Sequence, residues 1–590
     1  MNDTATSAAT EERESRSLSR RGFLTLGGVA ALAGGAVALV GCAPASQGGA
    51  SAAGGDSMAE TGEARATDAI GREYPWAVEP PAISDDMIEE EIDCDVCVIG
   101  LGVSGVAAFR GASEAGAKTV AFEKAEKPVC RSSQYAYVNG KYSDQLGLKS
   151  DFDLEEVFAH EFADCSQITN QSIVRKWLYN HTEAMDWWIE GGDCYVPAKG
   201  EVMGGNPMTG EPDPNHPVNV TSMSDVAIDY ENENQAAYPE NASFSDHQAI
   251  LDNNAAKAEA AGGTAYFGHF GEQLIQDESG RVVGAYVRNA ETGKYKKVNA
   301  VNGVVCSMGD GASNEDIMKF FYPHVVENGN FNPWPNMDVE GNRTNTGDVY
   351  PMGYWVGAGF SQYQAPMIHV MGGPGDNGDQ SQSMGFTGPM LRLNYNGVRF
   401  QNEDVPATEC EYDFEKQPGK KAFMIIDSHF DEYSPLCVNT FPAPLAQFDE
   451  QAGNGTIFKG ETLEELFSAI EGMDVQAALE SVARYNKMCE DGVDTDFGKK
   501  AKYLTPVVDG PFYAQRMGMG LCLCTMGGLS SDEEAHVLDT DHQVIPGLYV
   551  SGNAQGDRFA VKYPFKLSGT SHCMAMYYGK VAGENAAAGK

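Results

Sequence analysis

The sequence predicts an α/β fold, a parallel nucleotide-type sheet that is interrupted by an inserted α+β domain and resumed near the C-terminus. Three observations carry this. An apolar strand runs into a glycine-rich turn and an amphipathic helix, followed by a second strand that ends on an acid, between Cys94 and Glu123. From Gly280 to Asn314 a β-meander leads into another apolar strand that ends at Gly309. Far downstream, "HQVIPGLYVSGNAQG" supplies one more strand before Gly552-Asn553.

At the N-terminus, "SLSRRGFLTL" (Ser17 to Leu26) sets Arg20 and Arg21 ahead of an Ala/Gly-rich apolar stretch from Phe23 to Val40. Paired arginines before an apolar stretch too short for a comfortable membrane span read as a twin-arginine export signal. That route carries proteins already folded, which suits a chain that takes up a cofactor before export. "LVGC" (Leu39 to Cys42) has the pattern of a bacterial lipobox with Cys42 acylated; ordinary cleavage within "GCAPAS" is the alternative. The expected location is therefore extracytoplasmic, as a surface lipoprotein or a periplasmic protein. Residues 43–90 open with Ala, Gly, Ser and acids, a composition that buries no core and reads as a flexible linker.

The chain carries 84 acidic against 41 basic residues, a formal charge of −43. Such a surface repels nucleic acid and suits solubility or a basic redox partner. Its 13 cysteines do not fall into a small-domain disulfide framework, and no CxxCH is present to attach a c-type haem. Cys94 and Cys97 lie in a strand, where residues three apart point to opposite faces, a poor geometry for a shared metal. Buried or free thiols and no metal site are expected, with an iron–sulfur centre built from scattered cysteines as the alternative.

"CDVCVIGLGVSGVAAFRGASEAGAKTVAFEKA" is the strongest motif. Gly100 permits the tight turn, Gly102 lets backbone approach a pyrophosphate, and Gly105 lets helix pack on strand. The helix N-terminus then faces the phosphates. Glu123 lies 18 residues beyond Gly105, where a carboxylate can accept the adenosine ribose hydroxyls. Ser104 and Lys124 flank these positions and join them as candidate cofactor contacts. The protein is expected to carry a dinucleotide.

"TLEELF" at Thr462, "VARYNKMCEDGVDTDFGK" at Val482, "GPFYA" at Gly510, "TMGG" at Thr525 and "IPGLY" at Ile545 follow in order. With them, the chain from about Asp93 to Gly589 resembles the FAD-dependent oxidoreductases that include fumarate reductase flavoproteins, urocanate reductases and 3-ketosteroid dehydrogenases. The resemblance implies a Rossmann-like FAD-binding domain of the glutathione-reductase type, formed by residues 91–316 and 501–590. Residues 317–500 would be a capping domain that closes over the flavin. It also implies that Gly309, Gly552, Asn553 and Ser571 contact the cofactor. The turn near the flavin departs from the family pattern: "EKPVCRSSQYAYVNG" offers Ser132 and Ser133 there, preceded by Arg131. No histidine lies between Glu123 and His160, so FAD is expected to be non-covalent.

Between the nucleotide segments, the helical stretch from Gln171 to Glu190, with Trp177, Trp187 and Trp188, reads as core. "NPMTGEPDPNHPVNV" and the Asn-rich run after Asp229 read as loops. "LRLNYNGVRFQNED" predicts a hairpin through Asn394 to Gly397 that presents Arg399, Asn402 and Glu403. By resemblance to fumarate reductases, Arg399 delivers a proton to substrate carbon, with Glu403, Asp404 or Glu409 relaying protons to it. The other reading is a brace, Arg399 paired with Glu403. His369 in "QAPMIHV" stands near a substrate-binding histidine of those relatives, or is a core residue. Cys524 replaces the histidine that dicarboxylate reductases carry before Thr-Met-Gly-Gly. Their carboxylate-clamping arginine falls on Tyr563 when counted from Asn553, or on Lys566 when the following Leu and Gly are matched; neither reproduces a guanidinium fork. Gly552-Asn553 and Tyr563-Pro564 look more like the ketosteroid dehydrogenases, in which a phenol faces the substrate. A phenol at Tyr563 can donate to an enone oxygen as an oxyanion donor does, or it simply packs beside the flavin.

The expected function is an exported FAD reductase that saturates a C=C conjugated to a carbonyl, an enone or enoate. Its electrons would come from a membrane-anchored cytochrome, because the chain has no haem motif of its own. Two alternatives stand beside it: a ketosteroid-type dehydrogenase running the reverse reaction, and a flavin lipoprotein that carries electrons or ligand without turnover.

Overall fold

The computed structural model describes residues 74, 76, 77 and 80–590, apart from 131–133, 147–149, 191–193, 196–217, 223–240, 245–246, 328–335, 370–387, 405–411, 434–443, 519–520, 565–566 and 568. The expected N-terminal signal and most of the expected linker lie outside these residues.

The first strand, β1 (Ile88–Ile99), ends in four consecutive buried residues, as a central parallel strand covered on both faces must. Helix α1 (Val103–Glu114) returns the chain to β2 (Thr119–Glu123), which pairs in parallel with β1, Val96 opposite Thr119. Helix α2 (Gln171–Ile189) starts where the Asn170 side chain accepts from the N–H groups of Ser172 and Ile173. It buries Trp177 and Trp188 in the core, the structural role the sequence suggests. After α3 (His247–Ala260), β3 (Thr264–Phe267) adds in parallel to β2. The meander is β4 (His269–Gln276), β5 (Val282–Asn289) and β6 (Tyr295–Cys306). The first half of β6 pairs antiparallel with β5, and its whole length pairs in parallel with β1.

The inserted region begins on β7 (Ala365–His369). Its own sheet comprises β8 (Arg392–Leu393), β9 (Lys421–Ile426) and β10 (Ile457–Gly460), joined after helix α4 (Val475–Asp491) by β11 (Phe512–Gly518). The strands are antiparallel in the order β8-β9-β11-β10. Helix α4 is capped at both ends, by the Asp474 carboxylate and by Gly492 in the left-handed conformation. The chain leaves along β12 (Leu521–Met526), which pairs antiparallel with β7, so entry to and exit from the cap form one two-stranded ribbon.

Strand β13 (Val544–Val550) then slots in parallel beside β6, with Leu548 opposite Val304, and completes the main sheet. From the His536–Leu538 edge inward its order is β13-β6-β1-β2-β3. Helix α5 (Thr570–Ala587) lies against α1 so closely that a Cβ on Gly579 would sit 2.1 Å from the Ser104 carbonyl oxygen. The alternating residues of the parallel strands divide between two cores. Val96, Val98, Ala121, Val305 and Tyr549 pack with α1 and α5, and Cys97, Ile99, Phe122, Val304 and Cys306 fill the opposite face.

Three expectations are corrected here. Ile317, Val349, Tyr350 and Met352 share the second of those cores, so these residues cover the nucleotide-binding sheet and are not cap. At the other end, β11 is hydrogen-bonded within the cap sheet, which therefore extends past residue 500. The cysteines of the CxxC do not face apart. The pairing of β1 with β6 shifts register between Cys94 and Val96, and Cys94, Cys97 and Cys306 share one apolar cluster. Burial raises the pKa of all three thiols, which makes them inert packing groups. A smaller difference is that Val218–Ser222, at the end of a stretch read as loop, is a strand.

Candidate active site

The nucleotide cradle is built where β1 and β6 end. Gly100 takes φ +93° to leave β1, and a Cβ there would stand 2.4 Å from the Ser307 carbonyl oxygen. A Cβ on Gly105 would stand 1.7 Å from the Gly100 oxygen, so the turn is closed tightly against α1. Gly102 differs. It is the N-cap of α1, and a Cβ on it would meet no protein atom closer than Val129 O at 3.7 Å. The polypeptide has room for a side chain at Gly102; an approaching phosphate does not. The first N–H groups of α1 have no acceptor within the helix and face this opening.

Glu123 closes the cradle from the end of β2. It is buried, with Oε2 accepting from the Leu101 N–H at 2.6 Å and Oε1 from the Ala125 N–H at 2.9 Å. Burial raises its pKa, and the backbone donors pull the other way. A carboxylate fixed in this way keeps lone pairs for ribose hydroxyls. On the other side, Gly552 follows β13 with φ +70°, its Cβ position 2.3 Å from Ser104 Oγ. Gly309 also takes positive φ, +77°, with open space at its Cβ position. Lys124 has a different role from the one expected. Its ammonium is bound to Asp348 at 2.8 Å and to Thr346 at 2.6 Å, which pins the 346–348 segment to the end of β2.

A second cluster continues from the cradle through Asn553. Asn553 Oδ1 accepts from Arg558 Nη2 at 3.1 Å and from Ser571 Oγ at 3.4 Å. The Ser571 N–H, in the first turn of α5, donates to Tyr563 Oη at 3.1 Å. Tyr563 is buried, and burial foremost, then the nearby Glu161 and Cys524, hold its phenol protonated far above neutral pH. Cys524 is also within reach of the Arg558 charge. The β7–β12 ribbon sets Met367 opposite Cys524 and His369 opposite Leu521, so the two substrate-side strands named from sequence are neighbours.

Arg399 and Glu403 belong to the interior of the cap. The hairpin forms as expected, with Asn394 N–H bonded to Val398 O and Gly397 N–H to Asn394 O. Arg399 donates from Nε and Nη2 to Glu403, at 2.8 and 2.7 Å, and from Nη1 and Nη2 to Asp494, at 2.9 and 2.8 Å. Lys499, with a fully buried side chain, approaches Glu403 at 3.4 Å. Burial alone would lower the Arg399 pKa, but the two carboxylates drive it above its ordinary value. Burial likewise opposes the ionised forms of Glu403 and Asp494; Lys499 and Arg399 overcome it at Glu403, and Arg399 with the backbone N–H groups of Lys499, Asp496 and Phe497 overcomes it at Asp494, so both pKa values are lowered. Four of five guanidinium N–H positions are committed. This is the brace, and it corrects the reading of Arg399 as proton donor and Glu403 as relay.

The fold thus brings Gly100, Gly102, Ser104, Gly105, Glu123 and Gly552 into one cradle, and Asn553, Ser571, Tyr563 and Cys524 into the cluster beside it. Ser132, Ser133 and Lys566 lie outside the described residues, as does the side chain of His369. Sequence reasoning missed Arg558 and Glu161. The signal for Arg558 was an arginine in "GDRFA" only five residues past Asn553, in an otherwise apolar and glycine-rich context.

A parallel sheet with a glycine cradle, a ribose-side acid and a cap inserted between its strands defines a dinucleotide-dependent oxidoreductase. The chain belongs to the FAD binding domain family, whose model matches residues 95–564, and it binds FAD. It is similar to a urocanate reductase from Eggerthella lenta, 26% identical over 541 residues that cover 89% of this chain and 79% of that protein. It is also similar to a cytochrome-type fumarate reductase from Shewanella frigidimarina, 26% identical over 84% of this chain and 77% of that one. Among solved structures, a 3-ketosteroid-Δ4-(5α)-dehydrogenase from Rhodococcus jostii shares the fold with a TM-score of 0.63 at 21% identity, over 85% of this chain and 99% of that chain.

Proposed function

We propose that this protein is an extracytoplasmic reductase that saturates a C=C conjugated to a carbonyl group. The observation that carries the reading is the Tyr563–Arg558–Cys524 cluster, buried at the end of β13 and continuous with the FAD cradle through Asn553. Bound FAD supplies the hydride. Tyr563 holds a proton at Oη in a buried setting, where it donates to the carbonyl oxygen and stabilises the charge that develops there. Proton transfer from Oη gives an enol that relaxes to the saturated carbonyl. Arg399 takes no proton-transfer role in this reading, because its guanidinium is held by Glu403 and Asp494. Relatives named for reducing urocanate and fumarate support the reductive direction. The paired arginines at Arg20-Arg21 support export with FAD already bound, and an external cytochrome is the natural electron donor.

The test is turnover with a reduced viologen as artificial donor. Loss of the substrate C=C absorbance in the presence of holoenzyme, with a Tyr563→Phe variant at least tenfold slower and still flavinated, supports the proposal. Equal rates for the two proteins remove Tyr563 from the mechanism.

A further inference from the structure

Among the described residues, no carboxylate forms an ion pair with Arg558, a buried cation. Four arginines are buried among the described residues: Arg110 pairs with Glu114, Arg399 pairs with Glu403 and Asp494, Arg392 stands in the field of Glu403, and Arg558 is the fourth. Arg558 is 1% exposed, and the groups whose charges reach it are Cys524, Tyr563 and Tyr578. A thiol and two phenols are neutral near pH 7, so none of them balances the guanidinium. Burial pulls its pKa down to about 10, which still leaves it charged. Its Nε donates to Gln555 O at 3.3 Å and its Nη2 to Asn553 Oδ1 at 3.1 Å, while Nη1 has no partner among the described residues. Three residues earlier, Gln555 is also 1% exposed, and neither its Oε1 nor its Nε2 has a partner among the described residues. Unpaired buried charges are strongly destabilising, so an anionic ligand at Arg558 would relieve that cost.

The phosphates of bound FAD would find their donors at the N-terminus of α1, beyond Gly102. The neighbours of Arg558 are instead Tyr563 and Cys524, on the substrate side of the cluster. We infer that Arg558 is the receptor for a substrate carboxylate, with the Gln555 amide as its second donor, so that the enzyme takes α,β-unsaturated carboxylates in preference to neutral enones. The inference rests on the reductase reading above and narrows its substrate class. The planar guanidinium holds a carboxylate by parallel hydrogen bonds. It also stabilises the negative charge that grows on that carboxylate when hydride adds at the distal carbon. The Tyr563 Oη proton is given up to the resulting enolate and ends on the carbon next to the carboxylate, giving the saturated acid, and Tyr563 is reprotonated from solvent. The two electrons come from reduced FAD, which is reoxidised in the same step.

Wild-type, Arg558→Gln and Arg558→Lys holoenzymes test this, each first assayed for FAD content and thermal stability. Dithionite-reduced flavin is mixed anaerobically with matched pairs, an enoate and the methyl ketone of the same carbon skeleton. Separately, the oxidised flavin band is followed while saturated acids (3-phenylpropanoate, succinate) are titrated in. The expected result is that wild type is reoxidised by the enoate of at least one pair, and that R558Q lowers the enoate-to-ketone efficiency ratio about a hundredfold or more. R558K lowers the ratio less, and the dissociation constant of the saturated acid rises in parallel. If R558Q does not retain FAD, R558K carries the comparison. Equal loss on both members of a pair, or a wild-type preference for the ketone, overturns the inference. So does a shifted flavin potential with unchanged acid binding. If no pair reoxidises the wild-type flavin, the reductase reading fails. The titration then decides Arg558 alone: binding lost in the variants keeps the receptor, and unchanged binding removes it.

Discussion

Arg399 and Asp494, 95 residues apart in sequence, meet in a bidentate ion pair inside the cap, Nη1 to Oδ1 at 2.9 Å and Nη2 to Oδ2 at 2.8 Å. The pair fastens the hairpin at Asn394–Gly397 to the segment that follows α4, and Glu403 takes the other side of the same guanidinium. This is a structural device for holding the cap in shape. Its chemistry is the reverse of what a proton donor needs, because two carboxylates stabilise the charged form of the arginine.

Removing one partner of a buried ion pair leaves the others charged and desolvated, at a cost of about 3–5 kcal/mol. Arg399→Gln is therefore expected to lower cap stability by about that amount, seen as an early transition in urea or thermal unfolding followed by tryptophan fluorescence. Arg399→Lys keeps a proton on the side chain but loses the fork, and should also be destabilised, with the pH dependence of turnover unchanged in the folded fraction. A variant with wild-type stability and a displaced pH profile contradicts the bracing role.

Gly102 and Gly105 should respond to alanine in opposite ways. The Cβ of Gly102→Ala meets only Val129 O, at 3.7 Å, so the apoprotein should fold with stability within about 1 kcal/mol of wild type and bind FAD weakly. The Cβ of Gly105→Ala falls 1.7 Å from Gly100 O, so that chain should fail to fold or aggregate. Circular dichroism and flavin fluorescence after reconstitution separate the two. Full FAD binding by Gly102→Ala would mean that the cofactor does not pass this glycine.

Glu123 is tied to the cradle by the Leu101 and Ala125 amides, so its loss acts on the cofactor site and the turn together. Glu123→Ala is expected to weaken FAD at least tenfold, measured by isothermal titration of apoprotein, and to lower stability by about 1–3 kcal/mol through the two unsatisfied N–H groups. Unchanged FAD affinity would place the ribose elsewhere.

His181 gives the fold a defined acid sensitivity. It is fully buried, with Nε2 accepting from the Val138 N–H at 3.0 Å and Nδ1 donating to Leu178 O at 2.9 Å, and burial lowers its pKa to about 4. The unfolded chain therefore binds a proton at His181 near pH 6.5 that the folded chain refuses until about 4. Stability is full above the unfolded value and falls as pH drops through that window, by up to roughly 3 kcal/mol. Urea unfolding of wild type at pH 7 and pH 4.5 should show this slope, and His181→Asn should flatten it. An identical slope in both proteins assigns the effect to other groups.

The cradle was readable from sequence because its parts are local. Glycines with steric roles, an apolar strand and a ribose-side acid all occur within 30 residues, from Cys94 to Glu123. The hairpin before Arg399 was equally local. Partners set by tertiary packing were not readable: nothing in the sequence indicates that Lys124 would be drawn to Asp348, or that a register shift beyond Cys94 would put two thiols on one face. The cap boundary was misplaced at both ends because helices and strands of either domain look alike until their partners are known. Arg558 escaped because the lack of an ion-pair partner for it among the described residues is a property of the folded neighbourhood, while the expected arginine was sought at Tyr563 and Lys566.

The central claim is that reduced flavin in this protein delivers its electrons to a carbonyl-conjugated C=C. The most direct measurement is anaerobic: reduce the purified holoenzyme with dithionite, add enones, enoates, urocanate and fumarate in turn, and follow the oxidised flavin absorbance. Rapid return of that band with one class, together with the saturated product, is the predicted result. A flavin that stays reduced against every member of the panel, in protein shown to be fully loaded and folded, contradicts it.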